Sequence, residues 1–237
     1  METMLKRESV AIVHGADGLL REDVGENDCV IFVDALRASN TVLAALRQKV
    51  SFIRLFSSLD EIRPFKDQHS EYVYIGEQGA GDIEGFDYNN SPTQISSAGK
   101  KICSRTAAMV TSNFTKAVGS ADAVTCAKLV GSLLNAATIR SHIVHLQPSY
   151  RRVFIVAVGK DGRRMAEDDA TAAFLRALLL DLKTEDIGTI IKIYRESESA
   201  RIIRSRGYAD DIEFCLLPDS ISIIPEIRDR RFIYQKA

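Results

Sequence analysis

The chain carries almost no net charge. Its 31 Lys and Arg against 32 Asp and Glu leave −1 near neutral pH, too weak a field to gather nucleic acid or coat an anionic membrane. Long apolar runs are missing too: no stretch approaches the roughly 18 residues of a membrane span, and the opening METMLKRESV has no apolar core of signal-peptide length. Cysteines are few and scattered. Cys29, Cys103, Cys126 and Cys215 form no Cys-x-x-Cys pair and have no histidine beside them at ligand spacing. They read as buried free thiols, and the chain as a soluble protein of the reducing cytoplasm. His142 and His145 share a helical face but have no third ligand at sensible spacing, which favours a packing or surface role. There is no Gly-x-Ser-x-Gly elbow, no Walker loop and no GxGxxG after a strand.

What the chain does have is alternation. With 237 residues, 46% of them hydrophobic, it can bury a sizeable core as one large α/β domain or two small ones. Short β-branched or aromatic runs alternate with longer stretches of helical spacing, the pattern of an α/β protein. The expectation is a three-layer α/β/α fold on a mixed, largely parallel sheet, with residues 1–237 as one unit that could divide into two lobes. Cys29–Val33 is nearly all apolar, as in a strand covered on both faces. Residues 52–56, 72–75, 108–111 and 153–158 read as further strands, with 222–224 and 232–234 as late ones. Helical spacing marks 41–50, with Ser39 or Asn40 as its N-cap, and 59–68, 132–146, 167–182 and 189–206, the last closed by Gly207. Residues 113–118 read as a helix start, and 123–130 fit strand or helix. Between 76 and 92 lies a long loop, GEQGAGDIEGFDYNNSP, of a length that compact domains keep for functional or mobile segments.

Polar residues gather after these strands, where open α/β sheets bind their ligands. Asp34 is followed by Arg37, Ser39, Asn40 and Thr41; Glu77 follows the strand ending near residue 75; Thr111, Ser112, Asn113 and Thr115 follow the next. Guanidinium, hydroxyl, amide and helix N-terminal N–H donors suit an anion such as phosphate. Asp34, Glu77, Glu167 and Asp168 offer hard oxygens for Mg²⁺, which bridges naturally to phosphate. Each group also has a plain structural use. An Asp after a strand caps a turn, the 111–115 hydroxyls cap a helix, and the acids at 167–169 face a helix dipole. The pattern of any one group leaves both readings open.

The order of the segments is more specific. VDALRASNT (33–41), the loop 76–92, TSNFT (111–115), LLNAATI (133–139), VAVGKDGRRMAEDDATAAF (156–174) and SARIIRSRGYADDIEFCLLPDSISIIP (199–225) together resemble the 2-phosphosulfolactate phosphatase family. The resemblance implies Mg²⁺-dependent hydrolysis of 2-phosphosulfolactate to sulfolactate and phosphate, a step toward coenzyme M in methanogens. It makes a small phosphorylated molecule the partner, with neither nucleic acid nor membrane, and leaves a homo-oligomer open. Asp34 becomes the candidate nucleophile or metal ligand, Arg37 the holder of a phosphoryl or sulfonate group, and Glu167 and Asp168 candidates for Mg²⁺ or acid–base chemistry. Glu77 is a further metal candidate. Ser39, Asn40, Thr41, Asn90, Ser91, Thr111, Ser112, Asn113 and Thr115 would supply neutral donors. The chain departs from the family pattern at Gln78, where arginine is usual, and at Asn89 and Phe114, where glycine is usual. Loss of the arginine removes a charge-assisted contact of roughly 1.5–3 kcal/mol, and phenylalanine at 114 disfavours positive φ or close backbone approach. Two functions therefore stand side by side: an active phosphomonoesterase, and a divergent paralogue that binds an anionic metabolite without turnover.

Overall fold

The apolar runs become ten strands in the computed structural model, which describes residues 7–146, 150–229 and 231–236. They are β1 (Val10–His14), β2 (Cys29–Val33), β3 (Ile53–Phe56), β4 (Val73–Gly76), β5 (Tyr88–Asn89), β6 (Ala107–Val110), β7 (Ala127–Val130), β8 (Val153–Ala157), β9 (Pro225–Arg228) and β10 (Phe232–Gln235). The helices are α1 (Gly15–Leu20), α2 (Ala38–Arg47), α3 (Leu59–Gln68), α4 (Pro92–Ala98), α5 (Phe114–Ser120), α6 (Ala136–Leu146), α7 (Ala166–Leu179), α8 (Ile187–Glu196), α9 (Glu198–Ser205) and α10 (Ala209–Cys215). None among the described residues is long and apolar enough to cross a membrane.

The strands form one sheet in the order β1-β8-β2-β7-β9-β10-β3-β6-β4-β5. Neighbours within β1-β8-β2-β7 are parallel, and so are those within β3-β6-β4-β5. The β9–β10 hairpin joins these quartets through three successive antiparallel pairings, so the quartets run in opposite senses. Six strand-to-strand steps separate β2 from β4, and a twist of roughly 20–25° per step turns the carboxyl ends of the second quartet back toward those of the first. The fold is thus α/β on a mixed, mostly parallel sheet, as the alternation predicts.

Burial follows from the period of two along each strand. Val30 and Phe32 of β2, Ile53 and Leu55 of β3, and Val73 and Ile75 of β4 share one core with Val42, Ala45 and Leu46 of α2. The opposite face of β2, Ile31 and Val33, packs with Ile139 and Ile143 of α6 and Ala172 and Leu175 of α7. On the second quartet Phe56, Tyr74 and Val110 pack with Ile62 of α3. β4 ends close against β6, and a Cβ on Gly76 would fall 2.6 Å from the Val110 carbonyl oxygen. Glycine permits that approach and delivers Glu77 to the strand end.

Several local expectations change. The helix read over 189–206 is two helices, broken at Ser197, which is extended (φ −64°, ψ 158°) and accepts the Ala200 N–H to cap α9. The strand read at 222–224 is displaced to Pro225–Arg228, where it can pair with β7 and β10. α2 begins at Ala38 with Arg37 at its N-cap, not Ser39 or Asn40. Of residues 123–130, Ala127–Val130 form strand β7 and the first four remain outside it, whereas β1, α1, α4 and α10 carry too short or too irregular a pattern to read. Of the four thiols, Cys29 and Cys215 are buried, Cys126 is half-buried and Cys103 is exposed.

Candidate active site

β2 ends at Val33, and the chain then folds back on itself. The Asp34 N–H donates to Ser39 Oγ at 2.9 Å, and Asp34 Oδ1 accepts the Ala38 N–H at 3.0 Å. Asn40 Nδ2 donates to the Ala35 carbonyl at 2.8 Å, and Thr41 Oγ1 to the Arg37 carbonyl at 3.4 Å. Short polar side chains satisfy nearby backbone groups readily. Ser39, Asn40 and Thr41 are therefore occupied in building the turn and do not border the cleft beyond it.

That cleft, about 600 Å³ with its open mouth, takes Asp34 from the end of β2, Glu77 from β4, Ser112 from β6 and Gly159 from β8. Glu167 and Asp168 enter from the first turn of α7. Burial raises the Asp34 carboxyl to about 7, reinforced by the Glu77 and Glu167 charges and opposed by the Ala38 N–H and by Arg37. Asp168 accepts the Ala35 N–H on Oδ1 at 2.7 Å and the Gly159 N–H on Oδ2 at 2.8 Å. Its burial, and then the Asp34 and Glu167 charges, still hold it well above the usual carboxylate range. Burial raises Glu167 as well, against the Ser199 and Ser197 hydroxyls. Its Oε2 is buried with no hydrogen-bond partner. Glu77 is tied into its own bank: Oε1 accepts the Ser112 N–H at 2.7 Å, while Oε2 accepts the Ser112 hydroxyl at 3.0 Å and the Ala80 N–H at 2.7 Å.

Arg37 borders the cleft but faces inward. It is 2% exposed; Nη1 donates to Asp211 Oδ2, and Nη2 to Asn89 Oδ1 at 2.8 Å. Its guanidinium lies 4.9 Å from the centroid of the Tyr208 ring. Asp211, on α10 and fully buried, also accepts from Ser91 Oγ at 2.7 Å and from the Thr93 N–H at 3.1 Å. The charge expected to hold a substrate anion is thus neutralised inside the fold.

The other candidates divide in the same way. Thr111 and Thr115 cap each other, N–H to hydroxyl oxygen in both directions at 3.0 and 3.2 Å, and stay out of the cleft lining. Ser112, Asn113 and Asn90 border it, and Asn90 Oδ1 is buried without a partner. Ser91 turns to Asp211 instead. Of the departures from the family pattern, Gln78 is exposed and outside the lining. Phe114 is fully buried at the start of α5 without a positive φ. Asn89 alone touches a candidate residue, by accepting from Arg37. Sequence reasoning missed Lys160 and Asp211. Lys160 stands two residues after a strand reading that ends at 158, a position as telling as that of Asp34; Asp211 lies 174 residues from its partner, with no local signal.

A profile of the family described as 2-phosphosulpholactate phosphatase matches residues 17–230. The chain belongs to that family. Its relatives align along nearly the whole length. A Clostridium kluyveri (strain NBRC 12016) protein named "Probable 2-phosphosulfolactate phosphatase" is 30% identical, covering 93% of this chain and 95% of its own. A protein of Clostridium novyi (strain NT) with the same name is 28% identical over 87% and 92% of the two chains. Another from a Synechocystis strain is 25% identical over 87% and 92%. The 2-phosphosulpholactate phosphatase match spans every segment that borders the cleft.

Proposed function

We propose that the protein is a phosphomonoesterase that hydrolyses the phosphate ester of a small anionic acid, with 2-phosphosulfolactate as its leading substrate. The observation that carries this reading is the pairing in one cleft of Asp34, raised to about 7, with Glu167, whose buried Oε2 lacks a partner. Family membership and the names of the relatives support the ester class. Asp34 Oδ1 is held by the Ala38 N–H, which leaves Oδ2 for chemistry. Ionised, it attacks phosphorus to give an aspartyl phosphate that water then hydrolyses, or it takes a proton from an attacking water. The ester P–O bond breaks, and the alcohol oxygen leaves with a proton from a raised carboxyl such as Glu167. The sum is ester plus water giving alcohol plus inorganic phosphate.

Mg²⁺ fits the donor set. The Asp34 carboxylate and Asn90 Oδ1, the latter buried and unpartnered, are hard oxygens, and Glu167 is kept for the proton transfer. Among the described residues no three carboxylate, imidazole or thiolate groups gather closely enough to hold a metal by themselves. Water and substrate oxygens would complete the shell, as is usual for this ion. When bound, Mg²⁺ supplies positive charge against the phosphoryl oxygens. Glu77 and Asp168, expected as ligands, already hold backbone N–H groups and act here by positioning the loops that carry Ser112 and Gly159.

The test is phosphate release from 2-phosphosulfolactate and from p-nitrophenyl phosphate, with Mg²⁺ and with chelator. Wild type should be Mg²⁺-dependent, and Asp34→Asn should lower kcat by roughly 10²–10⁴-fold, the range for loss of a positioned acid or base. Absence of release from both esters would reject the reading. The neutralisation of Arg37 by Asp211 favours a second function, a binding protein for an anionic metabolite. Thermal stabilisation by sulfolactate without phosphate release would identify it.

A further inference from the structure

Among the described residues bordering the cleft, two side chains carry positive charge, Arg37 and Lys160. Arg37 is matched by buried Asp211. Lys160 follows Gly159, whose N–H is fixed on Asp168, so its backbone is tied to the carboxylate cluster. Gly159 has φ +72°, and a Cβ there would meet the Arg163 carbonyl oxygen at 2.3 Å. The turn is closed by reciprocal 2.9 Å backbone hydrogen bonds between Lys160 and Arg163. The ammonium, by contrast, is loosely held. It meets Glu198 Oε1 at 3.5 Å, with the lysine side chain 27% and the glutamate 43% exposed. Arg163 Nη2 reaches the same oxygen at 3.5 Å, so Glu198 keeps a cation when Lys160 swings away.

The rest of the cleft is acidic, with Asp34, Glu77, Glu167 and Asp168 on its walls. A substrate bearing an acid group as well as a phosphate brings more negative charge than one cation at the phosphate can offset, and a poorly solvated cleft magnifies the repulsion. We propose that Lys160 leaves Glu198 to bind the second acid group of such a substrate, and so selects acid-bearing phosphomonoesters over simple ones. Ile202 and Ile203 on the same bank form the apolar wall beside that group. The inference rests on the phosphatase reading above.

Steady-state kinetics of wild type, Lys160→Met and Lys160→Arg on 2-phosphosulfolactate and p-nitrophenyl phosphate test it. In Lys160→Met the ratio of kcat/KM for the two esters should fall about ten-fold or more, chiefly through KM for 2-phosphosulfolactate, the scale of one charge-assisted contact. Lys160→Arg should recover most of that ratio. An unchanged ratio in Lys160→Met overturns the proposal. If wild type releases phosphate from neither ester, the phosphatase reading fails and the lysine is judged on calorimetric titration with sulfolactate alone. A ten-fold weaker affinity in Lys160→Met then supports the proposal. Unchanged affinity, or no binding by wild type, overturns it.

Discussion

Asp34, Glu167 and Asp168 are carboxyl groups held above their ordinary range because burial withdraws the water that would stabilise their charge. The consequence for stability has a definite sign. A carboxyl whose pKa is raised by folding binds its proton more tightly in the native state than in the unfolded chain. For Asp34 the stabilisation is fully present below 3.8 and is lost as pH rises to about 7. Thermal unfolding in chelator should therefore show a Tm that declines across that window, and Asp34→Asn should flatten the decline. A cation bound to the native carboxylates opposes the same loss. Added Mg²⁺ should raise Tm more above pH 7 than below pH 5, as a pH series with and without the ion would show.

Among the elements, the clamp between the α2 turn, α4 and α10 holds the cleft wall in place. Arg37 and Asp211 are both buried, and Ser91 and Thr93 fill the remaining acceptor positions of the carboxylate. Removing one partner leaves the other charged and dry. Asp211→Ala should destabilise the protein by about 3–5 kcal/mol, read as a lower midpoint in urea unfolding. Replacing the pair together, as Arg37→Met with Asp211→Leu, should recover much of that loss. The motif ALRASN announces a polar turn, although the helix it opens begins one residue before the expected cap, with Arg37 at the N-cap. The partner of Arg37 is not legible there, because nothing near residue 37 records which distant helix will lie against it. The break between α8 and α9 is intermediate. Ser197 carries a capping side chain, but the apolar spacing on both sides continues through it and reads as one helix.

For the molecule as a whole, the β9–β10 hairpin joins two parallel quartets into one sheet. Ile227 and Ile233, one from each of its strands, belong to the core that both quartets share with α2. Deleting residues 225–237 exposes the edges of β7 and β3 to solvent and to other chains. Such a truncation should lose its sharp thermal transition and aggregate, visible by circular dichroism and size exclusion, whereas the full chain unfolds cooperatively. The sequence alone determined the α/β class, the strands β2 and β8, the long helix α7 and the family, because apolar period and motif order are properties of neighbouring residues. Tertiary structure alone decided which polar residues face the cleft. Asp168 reaches the Ala35 N–H across 133 residues, and Asp211 reaches Arg37 across 174. Those meetings depend on strand order and on the reversal made by a hairpin at the far end of the chain, and local spacing encodes neither.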